Sequence, residues 1–449
     1  MSVGRAGSTT PDSGAEPGLI RAIGTRDLAA NIINLVVGAG IFVLPALVFA
    51  EIGAASFLAY LVCAVAIGLV FLCFAEIGSR VTTSGGAYAY VEAAFGPFAG
   101  FLTSTLLWFA YAVMSDAAIA NVLYESLASA VPGLAGPLTR VAFMLVIFSG
   151  LAAINIRGVR HGARFVFALT VIKLVPLLLL VLVGFSHIEG EHLLVHGSWP
   201  SIERLGAASL LLFFAFGGAE SALTPSGEIL KPTQTVPRAL LLGVGGVFVL
   251  YLALQIVAQG VLGADLAAHP DTPLAATAEH VLQGAGLLLI AGVSISIFGT
   301  LSGDLLASPR AIYAAAENGH LPAFLAAVHP RHRTPHVAII VFAALTCGLA
   351  ISGAFEFLAV ASSASLLFIY LGCSLAVFQL RRREVRSNGR VFRAPGGPVV
   401  PAASCLIIVW LLSHVTAAEA AVLGGILVAS ALYYIVRRKS VTGSSDGAE

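Results

Sequence analysis

The sequence predicts an all-α membrane protein with about twelve transmembrane helices, grouped as two five-helix halves followed by two further helices. Three observations predict it. Of 449 residues, 58% are hydrophobic and only 10% are charged, whereas a soluble domain carries roughly a quarter charged residues. The apolar residues gather into runs long enough to cross a hydrocarbon core, which takes about 20 residues each. The first and sixth of those runs are interrupted by glycine and proline at matching places.

Residues 1–27 are polar, carry Arg5, Arg21 and Arg26, and hold no short apolar run with a cleavage site. They read as a cytoplasmic tail without a signal peptide, so the first spanning helix is expected to direct insertion. The runs of the first half (28–185) lie near 28–50, 54–78, 97–125, 138–156 and 164–185. Those of the second half (205–380) lie near 205–230, 239–263, 282–312, 336–354 and 355–380. Two more, 397–418 and 420–437, make up the segment 397–437, ahead of a cytoplasmic tail at 438–449. None alternates apolar and polar residues over about ten positions as barrel strands do, so a barrel is excluded.

Basic residues test this topology independently. With both ends inside, only Arg140 and Arg204 of the 24 Lys and Arg fall on the outer side, and Lys173 lies within a span. The rest, including Arg157, Arg160, Arg164 and the cluster Arg381, Arg382, Arg383, fall inside. Lys and Arg concentrate on the cytoplasmic side of membrane proteins. The expectation is a multi-pass protein of the cytoplasmic (inner or plasma) membrane with both termini cytoplasmic.

Composition also bounds function. A net charge of +1 supplies no basic field to neutralise phosphates, so no nucleic-acid partner is expected. Cys63, Cys73, Cys347, Cys373 and Cys405 lie in apolar stretches without metal-ligand or disulfide spacing, and read as small membrane hydrophobes. Neither a metal nor a cofactor is expected. Ten of the eleven histidines sit in loops or at helix ends, and no HExxH occurs, which disfavours a membrane-embedded enzyme. A channel would need a filter motif or a ring of charges, and a transporter-like sensor an appended soluble domain. What remains is a secondary transporter, with the bilayer and a small molecule as partners and an oligomeric state the sequence does not set.

The interrupted runs locate the chemistry. Run one contains Gly38-Ala39-Gly40 with Pro45 after it; run six contains Gly217-Gly218, then Glu220, then Pro225. Glycine weakens a helix and proline removes a donor, so both runs should unwind near mid-membrane. Unwound backbone is tolerated there only against a cavity or buried protein. Interrupted helices at corresponding positions of two halves point to a transporter binding site. Exposed N–H groups at a half-helix N-terminus hold a carboxylate, and freed carbonyls hold an ammonium. Together they fit an α-amino acid. The competing reading is that such glycines only let helices pack closely.

Four motifs now carry a resemblance. GAGIF (Gly38–Phe42), SGGAYAYVEAAFGPFAGF (Ser84–Phe101), FFAFGGAESA (Phe213–Ala222, then Gly227-Glu228 and Pro237), and the run from Asn318-Gly319 through Leu321-Pro322 to Thr334-Pro335 occur in order. Over roughly residues 25–437 the chain resembles the amino acid–polyamine–organocation superfamily of permeases. That resemblance implies two inverted five-helix repeats with broken helices 1 and 6, plus two extra helices. Similarity to the arginine–agmatine antiporter branch implies a pocket. Gly38, Ala39 and Gly40, with Ile41 following, would cradle the substrate carboxylate; the branch has serine where Ala39 stands, so a hydroxyl contact is lost. Phe214 matches an aromatic that caps the substrate, tryptophan in that branch, with Ala215 and Gly217 beside it. Ala110, Tyr111 and Ser115 match third-helix pocket positions. Asp304 matches an aromatic lining the distal pocket, and an acid there departs from the branch.

A charge at bilayer centre costs about 3 kcal/mol on insertion scales, so Asp116, Lys173, Glu220 and Asp304 are functional candidates. Glu76, Glu228 and Glu356 lie near helix ends, where interfacial water is expected to solvate them. Lys173 resembles a lysine of sodium-independent members, whose ammonium replaces a sodium ion and ties the first break to helix eight. Ser294 and Ser296 would supply the opposing contacts. Lys173 either exchanges a proton or forms a permanent ion pair. Glu220 matches a glutamate that the resemblance links to pH response; alternatively it caps the N–H groups of its own segment. Asp116 and Asp304 would be partly protonated, or serve a cationic substrate, or bond to neighbouring hydroxyls. The implied function is alternating-access transport of amino acids, sodium-independent and either exchange or proton-coupled. A polyamine or other amine permease is the alternative.

Overall fold

In hydrocarbon a chain satisfies its backbone either as helix or as a closed barrel, and this chain takes the first solution. The computed structural model describes residues 23–81, 85–157, 163–223, 229–385 and 391–445, with backbone alone for 163–170 and 438–445. Arg5, Arg21, Ser84, Arg160, Pro225, Gly227 and Glu228 lie outside the described residues, as does the side chain of Arg164. Among the described residues every regular element is helical, and one isolated parallel bridge joins Ile23 to Ile229.

Run one divides into α1 (Thr25–Val36) and α2 (Gly40–Ile52). Gly53, at φ +57°, turns the chain into α3 (Ser56–Arg80). A short α4 (Ala87–Phe95) precedes α5 (Pro97–Thr105), which passes through a π-helical stretch, Leu106–Val113, into α6 (Met114–Ala130). Then come α7 (Pro137–Arg157) and α8 (Ala163–Gly184). Helix α9 (Ile202–Phe213) gives way to tight turns at Phe214–Phe216 and Ser221–Leu223. The long α10 (Pro232–Leu262), the short α11 (Pro273–Val281) and α12 (Ala285–Glu317) follow. Last are α13 (His336–Ile351), α14 (Phe355–Arg382), α15 (Val399–Leu412) and α16 (Ala417–Ser445).

Among the described residues, eight helical stretches have the length and apolarity to cross a bilayer, and three shorter apolar helices accompany them. The chain is therefore an all-helical, multi-span membrane protein. Leu178 and Leu182 on α8, Leu241 and Val249 on α10, and Val428 and Leu432 on α16 are exposed, an outer surface that lipid covers. Inside, α10 packs against both α1 and α3.

Three expectations are corrected. Pro45 does not help break the first run: unwinding is confined to 37–39, and α2 runs through Pro45. The ring sits in the second turn, where its missing N–H costs the helix one bond. Helix α16 continues to Ser445, into the stretch read as a tail, because nothing there before the final residues stops a helix. Glu76 is fully buried rather than solvated at an interface. Its carboxylate accepts from Arg80 (2.9 Å), from Arg381 (2.6 and 2.8 Å) and from the Ala394 N–H (2.9 Å). A buried acid persists when paired and fully hydrogen-bonded, and this one joins α3, α14 and the segment before α15. Glu356 is exposed at the start of α14, as expected of a helix-end acid.

Candidate substrate site at two touching helix breaks

The last bond of α1 runs from the Val37 N–H to the Ile33 carbonyl (2.9 Å); Gly38 N–H then turns back to Val36 (2.7 Å). Two carbonyls near the end of α1 find partners from distant helices. Lys173 Nζ, on α8, donates to the Asn34 carbonyl, and the Tyr251 hydroxyl, on α10, donates to that of Val36 (2.9 Å). At the start of α2, the N–H groups of Gly40 and Ile41 have no acceptor among the described residues. They are the orphan donors that every helix N-terminus leaves.

The second break presses against the first. Gly218 sits at φ +110°, and a Cβ there would lie 2.8 Å from the Leu35 carbonyl oxygen. Only glycine adopts that conformation at that approach. A Cβ on Gly40 would lie 3.0 Å from both Ala215 Cα and Phe214 Cδ1. Gly40 is thus a packing contact between the breaks, whereas Gly38 has open space, with only the Val36 oxygen at 3.8 Å from its would-be Cβ. Close packing therefore accounts for Gly40 and not for Gly38.

Glu220 is 3% exposed. Its Oε2 accepts from the Gly218 N–H (3.1 Å) and the Tyr370 hydroxyl (2.6 Å), so it braces its own unwound segment against α14. Its Oε1 has no partner among the described residues. Phe214 is half-buried and meets Phe355 edge-on at 5.8 Å between ring centres.

Gly38, Tyr111, Ser115, Phe214 and Asp304 are half-buried, while Ala39, Gly40, Ile41, Ala215 and Gly217 lie buried within the two breaks. Ala110 is fully buried in core packing. Lys173 reaches α1, but the hydroxyls of Ser294 and Ser296 on α12 have no partner, so the expected tie to those serines is not made. Across the bundle, Asp116 on α6 and Asp304 on α12 act electrostatically on one another, and Asp304 also acts on Lys173. Tyr251 and Tyr370 escaped the sequence reading. Each is one tyrosine in a long apolar helix, and no local spacing distinguishes a hydroxyl aimed at a broken helix from one in the core.

An amino acid permease family model matches residues 23–436. The chain belongs to that family. This permease is 30% identical over 395 residues to the serine/threonine exchanger SteT of Bacillus subtilis, covering 86% of this chain and 88% of that one. It is 26% identical to the methylthioribose transporter of the same organism over 445 residues, 94% of each chain. It is 30% identical to the mouse Asc-type amino acid transporter 1 over 352 residues, 75% of this chain and 66% of that protein. The permease therefore belongs among multi-pass membrane transporters of the amino acid–polyamine–organocation superfamily. Around its two touching breaks lie orphan N–H groups, the Lys173 ammonium and the carboxyls of Asp116, Glu220 and Asp304.

Proposed function

We propose that this permease carries amino acids across the cytoplasmic membrane by alternating access, without sodium. In this reading the chain makes twelve crossings with both termini in the cytoplasm. Residues 28–185 and 205–380 are inverted five-helix repeats, and 397–437 supplies two further crossings. The substrate carboxylate sits at the N–H groups of Gly38 to Ile41. Its ammonium meets the carbonyls loosened between Phe214 and Phe216, and Phe214 closes over it. Glu220 and the Asp116–Asp304 pair are the groups that move protons if transport is proton-coupled; in an exchanger they stay as they are.

The observation that carries the sodium-independent reading is the Lys173 ammonium on the Asn34 carbonyl. A fixed cation already neutralises the end of α1, where an oxygen-lined sodium site would otherwise form. Uptake of radiolabelled serine and lysine into proteoliposomes, with sodium or choline as the only cation, tests it. Equal rates are expected, and loss of transport in Lys173→Ala with the melting temperature retained. A strict sodium requirement would refute the assignment. Counterflow with and without a proton gradient then separates exchange from symport.

A further inference from the structure

Three acids and one lysine share the interior around the two breaks, and the charges do not balance. Asp116 and Glu220 are 2% and 3% exposed, and Lys173 is 5% exposed. Tyr111 stands among all three acids, under the field of each. Three carboxyls set against one ammonium leave negative charge in excess. A zwitterionic amino acid adds none, so it would leave that charge buried and unpaired, which a low-dielectric interior penalises heavily.

The unpartnered atoms lie on the same groups. Asp116 Oδ2, Glu220 Oε1 and Ser296 Oγ are buried without a hydrogen-bond partner among the described residues. Native structures leave few such atoms, and each one asks for an explanation. All three accept hydrogen bonds, two belong to carboxyls, and Ser296 lies on α12, eight residues before Asp304 and so on its face. An ammonium or guanidinium brings several donors on one positive charge, which answers both the charge and the orphan acceptors. Asp304 is half-buried, so it is the acid a ligand reaches first.

We infer that Asp116, Asp304 and Glu220 form a cation subsite beside the two breaks, which takes the side-chain ammonium or guanidinium of a basic amino acid. The inference rests on the amino acid permease reading and narrows it to a substrate class.

Lysine and norleucine have the same chain length and differ at the terminal amine, so their affinity ratio isolates the subsite. Binding is measured by calorimetry on the purified full-length protein in lipid nanodiscs. Lysine should bind about tenfold or more tightly than norleucine, because removing one partner of a buried charge pair commonly costs that much. Asp116→Asn and Asp304→Asn should collapse the ratio toward one, with melting curves confirming that both variants are folded. Equal affinities in the unmutated protein, or a ratio indifferent to both substitutions, would overturn the subsite and leave the permease reading intact. Norleucine binding that rises on acidification to match lysine would put a proton where the cation is proposed, and also overturn it. Cadaverine bound as tightly as lysine would keep the subsite while removing the carboxylate cradle. Binding of no amino acid at all would sink both readings.

Discussion

Gly38 and Gly40 are two residues apart, yet an added methyl should act on them in opposite ways. At Gly40 the methyl would sit 3.0 Å from Ala215 Cα, 3.0 Å from Phe214 Cδ1 and 3.1 Å from Ala215 Cβ. Backbone does not swing aside as a side-chain tip does, so the two breaks must separate. Overpacking of this kind costs about 1–3 kcal/mol. Alanine's better helix propensity returns at most about 1 kcal/mol. Gly40→Ala should therefore lower the melting temperature by a few degrees, and Gly40→Val, with two more methyls, by more. At Gly38 the methyl meets only the Val36 oxygen, at 3.8 Å, so Gly38→Ala should melt as the unmutated protein does. It places that methyl where the carboxylate is proposed to approach. A loss of about 1.4 kcal/mol there is a tenfold weaker Kd. Differential scanning fluorimetry and calorimetric titration on the same two preparations give both numbers. A Gly40→Ala protein as stable as its parent would refute the packing argument, and unchanged affinity in Gly38→Ala would remove the carboxylate from the first break.

Three further outcomes are expected. Phe214→Ala loses the edge contact with Phe355, a pair worth about 0.5–1.5 kcal/mol, and should raise the substrate Kd more than it lowers the melting temperature; the reverse order would make Phe214 a core residue. Glu76→Gln leaves Arg80 and Arg381 without their carboxylate, and breaking a buried pair costs about 3–5 kcal/mol, so thermal stability should fall markedly, and a neutral result would show water reaching the site. His329 Nδ1 accepts from the N–H groups of Arg331 and His332 (3.2 Å each); desolvation, then His332, His336 and Arg331, hold its pKa below the usual 6.5. The unfolded loop takes up the proton first, so the turn's stability is present above about pH 6.5 and is lost as pH falls toward the lowered value. Amide protection at Arg331 and His332, taken relative to the intrinsic exchange rate at each pH, should fall at acid pH, and equal protection on both sides of neutrality would refute this.

The breaks were legible because glycine and proline act locally: Gly38-Ala39-Gly40 and Gly217-Gly218 fall where the helices unwind. Lys173 was legible because a lone cation in an apolar run has few uses. What stayed hidden was pairing at long range. Tyr251 meets a carbonyl 215 positions away, Tyr370 an acid 150 away, and Arg381 an acid 305 away. No periodicity encodes such meetings. The helix-end position of Glu76 suggested water, but two arginines and a loop N–H cover it. The roles of the first-break glycines could not be separated by sequence either, since which of them touches Ala215 depends on how two unwound segments meet.

The wide turns of Leu106–Val113 have a consequence for everything downstream of them. A π-helical turn holds more residues than an α turn, and each surplus residue rotates the following helix by about 100°. Tyr111 lies within that stretch and Asp116 just beyond it, so their aim at Glu220 and Asp304 depends on phase as much as on residue type. Deleting one residue among 106–113 would relax the backbone toward ordinary helix and swing Asp116 away from α12, with every side chain unchanged. The stretch works as a dial for α6, and a drift of the wide turn along the helix would re-aim the same acids without unfolding it.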